Sequence, residues 1–283
     1  MEPTIDKRIR VTTISLAIPH PQKIPQMEYR MRQVERYLNK AGELKSDIVC
    51  LPETFQSSFG KTPEENAEDV EGKTVEYISK KARKYKMYII APMYAKIKRK
   101  IFNVSFVFDR NGKIIGEYRK THLPDEKCSA GDELPVINTD FGKIAILTCH
   151  DMNFFEVSRV YMLKGADILF WPTMWGHEDI KNYTLLYLKA TALLNAVYVV
   201  SADYAWTLKN KRKKPCGSYI LDPLGKVIAS SGCKGGIISA KITIYRPPRR
   251  YKNTKDCYDL NPAIRRRALL KGRRPELYKI IVE

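Results

Sequence analysis

Three side chains in this sequence combine into a chemistry that none of them offers singly. Glu53 follows the apolar run Ile48–Leu51, Lys120 follows Lys113–Arg119, and Cys149 follows Lys143–Thr148. A cysteine sulfur can attack a carbonyl carbon, a carboxylate can move the protons, and an ammonium can hold the oxyanion that develops. A helix beginning just after Cys149, with Asp151 or Asn153 as its N-cap, would favour the thiolate through the positive end of its dipole. Each residue also has an ordinary reading when taken alone. A cysteine ending an apolar strand is commonly a small buried hydrophobe, and Glu or Lys after a strand is commonly solvated. Cys50, inside its own run, belongs to the core.

For the three to meet, their strands must be neighbours in sheets whose carboxyl ends share one crevice. The remaining pattern supplies such a frame. Arg8–Ile18, Asp47–Leu51, Met87–Met93, Val104–Phe108, Lys113–Arg119, Lys143–Thr148, Ile168–Trp171 and Val197–Ser201 are apolar and β-branched, as strands are. Further strands are expected around Cys216–Leu221, Lys226–Ala229 and Gly236–Lys241. Between them, Met27, Met31, Val34, Leu38 and Ala41 recur at helical spacing over Gln26–Leu44. Helices are also predicted from about Thr74, over Asn153–Lys164, and over Asp179–Leu194. Asn111-Gly112 and Asp222-Pro223-Leu224-Gly225 mark hairpin turns. Strands alternating with helices, with hairpins in the middle and near the end, predict an α/β fold with mixed sheets in one domain. One domain over 8–244 would be followed by a basic extension over 245–283, packed on the domain or on a neighbouring subunit.

The segments carrying the three residues resemble the signature blocks of the nitrilase superfamily of carbon–nitrogen hydrolases. They are Leu51-Pro52-Glu53, Tyr118-Arg119-Lys120-Thr121-His122-Leu123-Pro124 and Ile146-Leu147-Thr148-Cys149-His150-Asp151. Glu156, Gly165-Ala166-Asp167, Gly217-Ser218 and Arg273-Arg274-Pro275-Glu276-Leu277-Tyr278 extend the resemblance along nearly the whole chain. It implies a four-layer αββα sandwich and a Cys-Glu-Lys triad: Cys149 as nucleophile, Glu53 as general base, and Lys120 with the His150 backbone N–H on the oxyanion. A second glutamate between Lys and Cys is implied as well; Glu126, ahead of Gly131, fits it better than Glu133 beyond. His150, Trp175 and His177 are implied on the substrate side, and His122 in a structural role. Cys149-His150-Asp151 resembles the amidase and carbamoylase branches, whereas true nitrilases have Cys-Trp-Glu there. Phe155 stands where the family often has proline, and Leu194 where many members have glutamate. The implied reaction is hydrolysis of a small linear amide or N-carbamoyl compound through a thioester on Cys149, releasing ammonia, in a homodimer or larger homo-oligomer; a true nitrilase is the alternative within the family.

Composition narrows the rest. No apolar run approaches the roughly 20 residues that span a bilayer, so no membrane is expected. The first residues carry charges and lack an apolar core, so a cleaved signal peptide is not expected. Six scattered cysteines without a CxxC pair, and His20, His122, His150 and His177 without ligand spacing, predict no metal, no cofactor and a reduced, cytoplasmic setting. Fifty Lys+Arg against thirty-one Asp+Glu give a net charge of +19. Lys209–Lys214, Lys96–Lys100 and Arg265–Arg267 could serve a catalytically silent polyanion- or nucleic-acid-binding protein. As solvated surface, the same charge would suit an anionic substrate.

Overall fold

The structure is a computed structural model, and it describes residues 5–18, 26–174, 181–206, 217–232, 234–245 and 261–281. Two mixed sheets stack face to face. In the first, β1 (Ile5–Ile18) runs between β14 (Gly236–Tyr245, antiparallel) and β2 (Ile48–Cys50, parallel). The sheet continues through β4 (Tyr88–Ile97), β5 (Lys100–Phe108) and β6 (Ile114–Arg119). Two short strands, β3 (Glu68–Asp69) and β11 (Tyr204–Trp206), pair with β4 and β1. The second sheet follows the order β13 (Val227–Ser230), β12 (Tyr219–Leu221), β10 (Tyr198–Ala202), β9 (Ile168–Pro172), β8 (Lys143–Ile146) and β7 (Val136–Asn138).

Side-chain alternation makes the layers. Odd residues of β1 (Ile9, Val11) join Ile48, Cys50, Ile90, Ile144, Ile146, Ile168, Phe170 and Val200 between the sheets. Even residues (Ile14, Leu16) join Val49, Leu51, Ile89 and Phe106 under α1 (Gln26–Glu43) and α3 (Lys73–Tyr85). On the far side, Ala145, Leu147, Leu169, Trp171 and Val199 pack under α4 (Phe155–Leu163) and α5 (Lys181–Asn195). Strands covered on both faces read as continuous apolar runs, which is why Asp47–Leu51 and Lys143–Thr148 stood out in the sequence. The result is the expected αββα sandwich.

Between β2 and α3 the chain forms a short helix, α2 (Pro63–Asn66), with a Thr62–Glu65 capping box, and then β3. Two local expectations need correction. The helix expected over Asn153–Lys164 is α4, which starts at Phe155; a 3-10 turn over Cys149–Asn153 precedes it, so no helix starts directly after Cys149. The N-cap of that turn is Thr148, and Phe154 occupies the N-cap position of α4, so neither Asp151 nor Asn153 caps a helix here. Of the basic extension, α6 (Pro262–Lys271) is described. Its Arg266 donates to the Ala166 carbonyl and the Asp167 carboxylate, both at 2.6 Å, fastening it to the turn between α4 and β9.

Candidate active site

Glu53, Lys120, Glu126 and Cys149 are brought together where β2, β6 and β8 end. Glu53 is buried; its Oε1 accepts from Lys120 Nζ at 3.0 Å and from Asn103 Nδ2 at 2.9 Å. Its Oε2 accepts from the Met174 backbone N–H at 3.0 Å, and its main-chain carbonyl accepts from the Tyr204 hydroxyl at 2.9 Å. All of these partners are donors, which suits an ionised carboxylate.

Lys120 is just as enclosed. Its ammonium bonds Glu126 as well as Glu53. The main chain on either side is clamped: the Lys120 N–H donates to the Asn103 carbonyl, and Gly131 N–H donates to the Lys120 carbonyl, both at 2.9 Å. That second bond needs glycine, because a Cβ on Gly131 would lie 2.3 Å from the Arg119 carbonyl oxygen. Burial alone would lower the lysine's pKa, but Glu53, Cys149 and Glu126 outweigh it and hold the pKa well above the usual range. The two carboxylates thus favour the ammonium form. Glu133, the alternative second glutamate, is exposed.

Cys149 occupies a backbone elbow, with φ at +48°. A non-glycine residue in this left-handed region is strained and persists only where its surroundings fix it. Two contacts do so here. Trp171 Nε1 donates to the Cys149 carbonyl at 2.9 Å, and the buried Asp151 carboxylate accepts from the Thr148 N–H at 2.7 Å. Asp151 also receives the Tyr118 hydroxyl at 2.6 Å and the His122 N–H at 3.0 Å, and its Oδ1 lies 2.8 Å from His122 Nδ1. It ties the cysteine turn to the end of β6, where Lys120 begins. The His122 ring stacks on Phe154, consistent with a structural role.

The electrostatics correct one expectation. The chain after Cys149 makes one 3-10 turn rather than a helix, and the thiol is not acidified. Burial and then Glu53 push its pKa well above the ordinary value, against the opposing pull of Lys120, the Thr173 hydroxyl and the Met174 backbone. Burial likewise raises the Cys50 thiol.

Of the substrate-side residues, His150 is partly exposed, with its ring against Phe154 and Asn153. Trp175 and His177 lie outside the described residues, as do His20 and Lys209–Lys214. Sequence reasoning missed Asn103, which bridges both carboxylates (3.0 Å to Glu126 Oε2), and Tyr94, its cross-strand partner, 3.4 Å from the same oxygen. A polar amide inside the apolar strand Lys100–Phe108 was the available signal, because Asn is depleted in strands. Among the described residues no group of His, Cys, Asp and Glu could hold a metal ion. No helix among them is long and apolar enough to cross a membrane.

A family model described as carbon-nitrogen hydrolase matches residues 10–246. The chain belongs to this family. Its relatives include omega-amidase NIT2-A of Xenopus laevis, 28% identical over 80% of this chain and 89% of the relative. The 2-oxoglutaramate amidase of Bacillus subtilis is 30% identical over 76% and 84%. Among solved structures, Nit3 of Saccharomyces cerevisiae, a member of branch 10 of the nitrilase superfamily, superposes with a TM-score of 0.70 at 27% identity, over 84% of this chain and 90% of that one. Family membership makes this chain a carbon–nitrogen hydrolase acting on amides and places it in the nitrilase superfamily.

Proposed function

We propose that the chain hydrolyses a small linear carboxamide, releasing ammonia through a thioester on Cys149. The observation that carries this reading is the shared position of Glu53 Oε1, which accepts from Lys120 and Asn103 beside the thiol. The raised thiol pKa means that the resting cysteine keeps its proton. Glu53 takes that proton as sulfur attacks the amide carbon, so that charge develops only as the bond forms. The oxyanion is stabilised by the Lys120 ammonium and by the His150 N–H, which lies in the first turn of the 3-10 segment, where amides lack helical acceptors. Protonated Glu53 then gives its proton to the departing nitrogen. Water attacks the thioester, Glu53 accepts the proton from water, and the proton returns to sulfur as the acid leaves. Glu126 and Asn103 hold Lys120 and Glu53 in place throughout.

The relatives' names favour ω-amides of dicarboxylates over N-carbamoyl compounds as first substrates to try. The test is ammonia release across linear monoamides, ω-amides and N-carbamoyl amines. Cys149→Ala is expected to lower turnover by about 10⁴-fold or more while leaving the protein folded. A fully active variant would remove the mechanism.

A homodimer belongs to the same proposal, supported by apolar residues left on the outer helices: Phe155, Tyr183, Leu186 and Leu194 are all more than half exposed. So does a reducing, cytoplasmic setting, supported by the free Cys50, Cys128 and Cys149. The basic runs give the polyanion reading little support. Lys96, Lys98, Arg99 and Lys100 are exposed where β4 turns into β5, and Arg266 is engaged with Asp167.

A further inference from the structure

Arg30 stands on α1 one turn before Val34 and two before Leu38, on the face that packs against the first sheet. The helical period gives this position to an apolar side chain, yet it holds a guanidinium with no solvent exposure. With no surface to offer a dissolved ligand, it acts through its neighbours. Two of these are aromatic. The guanidinium carbon sits 4.3 Å from the centre of the Phe59 ring, and the group hydrogen-bonds the Tyr204 hydroxyl. The Phe59 and Tyr204 rings meet edge-on at 5.9 Å.

Tyr204 opens β11, beside Leu16 of β1, and is as buried as Arg30. Burial drives the hydroxyl's pKa well up and Arg30 only opposes the rise, so the proton stays on. It is donated to the Glu53 carbonyl at 2.9 Å. Arg30 fixes that direction. A phenol oxygen can both give and accept, whereas a guanidinium has donors only. Facing Arg30, the oxygen has to accept, and its one proton turns to the other side, where Glu53 lies. Linked hydrogen bonds away from water also strengthen one another.

The main chain at Glu53 has need of such a bond. Leu51 N–H donates to the Ile90 carbonyl at 3.1 Å and Phe55 N–H to the Pro92 carbonyl at 3.3 Å, both on β4. Between them Pro52 has no N–H to give, and Thr54 lies in the left-handed region, with φ at +46°. A threonine there is strained and keeps its place only where the surroundings hold it. The general base thus rides on an elbow, as Cys149 does across the site, and the Tyr204 hydroxyl grips that elbow at the Glu53 carbonyl.

We infer that Tyr204 is a positioning residue for Glu53, and that Arg30 acts through it by turning the hydroxyl onto the Glu53 carbonyl. The carboxylate is thereby aimed at the sulfur and at the departing nitrogen, the two places where it moves a proton. This rests on the amide-hydrolysis reading and adds to it two residues that touch no substrate.

The test measures kcat and KM on the fastest amide of the ammonia-release screen and on p-nitrophenyl acetate. Tyr204→Phe keeps the ring and its contact with Phe59 and removes the hydroxyl alone. It should lower amide kcat about thirtyfold at unchanged KM, because a slightly misplaced base is felt only in the transition state. The ester should lose only about threefold, since p-nitrophenolate leaves without a proton from Glu53. Arg30→Met should lower amide kcat about tenfold with Tyr204 present and no further beside Tyr204→Phe, while Arg30→Lys, again donors only, should recover most of the loss. Should Tyr204→Phe alone unfold, the double variant, apolar at both places, is expected about threefold below Arg30→Met, and parity of the two would overturn the inference. Amide and ester falling equally would mean a general disturbance and overturn it, as would additive losses or a fully active Tyr204→Phe. A wild type that acts on no amide of the screen would remove the hydrolysis reading and this inference with it. An active wild type with indifferent variants removes the inference alone.

Discussion

Cys149 and Glu53 share one enclosed space, and two negative charges there would repel with little water to screen them. The site therefore rests as neutral thiol and carboxylate, and the nucleophile is made on demand. This gives a pH signature with a definite sign. Alkylation by iodoacetamide follows the thiolate, and the thiol pKa lies above its ordinary value. The rate at Cys149 should thus climb about tenfold per pH unit from neutral to pH 9 without levelling, measured by mass spectrometry of labelled peptides. A plateau below pH 7 would show a preformed thiolate and overturn the reading. At this scale the sequence showed the reactive types and their contexts. It did not show Asn103 as the donor shared by Glu53 and Glu126, because that depends on which strands and loops become neighbours. The dipole-lowered pKa expected from a helix after Cys149 failed for the same reason: the local charge of Glu53 and the burial of the pocket decide it.

Each reactive residue is set by the element end that carries it, and Asp151 joins two such ends. Its carboxylate receives the Thr148 N–H before the cysteine and the Tyr118 hydroxyl and His122 N–H around the lysine. Asp151→Ala would strand these buried donors and release the strained elbow at Cys149. A loss of about 3–5 kcal/mol is expected, since one partner is removed from a buried charged network. Urea denaturation measures the stability change, and turnover should fall more than stability alone explains, because the elbow aims the sulfur. Retained stability with full activity would mean that the elbow needs no such anchor. The elements themselves were legible wherever burial on both faces made apolar runs or one face gave a helical period. The separate 3-10 turn at Cys149–Asn153 was not, because it is set by the Asp151 carboxylate reaching back to the Thr148 N–H and not by the apolar pattern.

At the scale of the whole molecule, two surface properties compete for meaning. Among the described residues, Lys96, Lys98, Arg99 and Lys100 are exposed at one hairpin and α6 engages Arg266 with Asp167, so the +19 charge is read as a broad field more than as a binding face. The apolar surface is more localised. On α5, Thr184, Leu188, Ala192 and Asn195 are buried against the second sheet, while Tyr183, Leu186, Tyr187 and Leu194 form a second stripe at helical spacing that faces outward. A helix that is apolar on both faces belongs in an interior. Phe155 at the start of α4 is exposed as well, and it and Leu194 are two positions where this sequence departs from the family's common proline and glutamate. A second copy of the chain is the occupant proposed above, and the prediction is specific. Wild type should sediment as a dimer at micromolar concentration, and the double variant Leu186→Glu, Leu194→Glu as a folded monomer, because two buried charges facing their own copies across a twofold interface are strongly unfavourable. The net charge works against self-association, so raised salt should strengthen the wild-type dimer; an assembly that salt weakens instead would point to ion pairs rather than this apolar stripe. A wild-type chain that sediments as a monomer under both conditions would leave the stripe without its proposed partner and overturn the dimer.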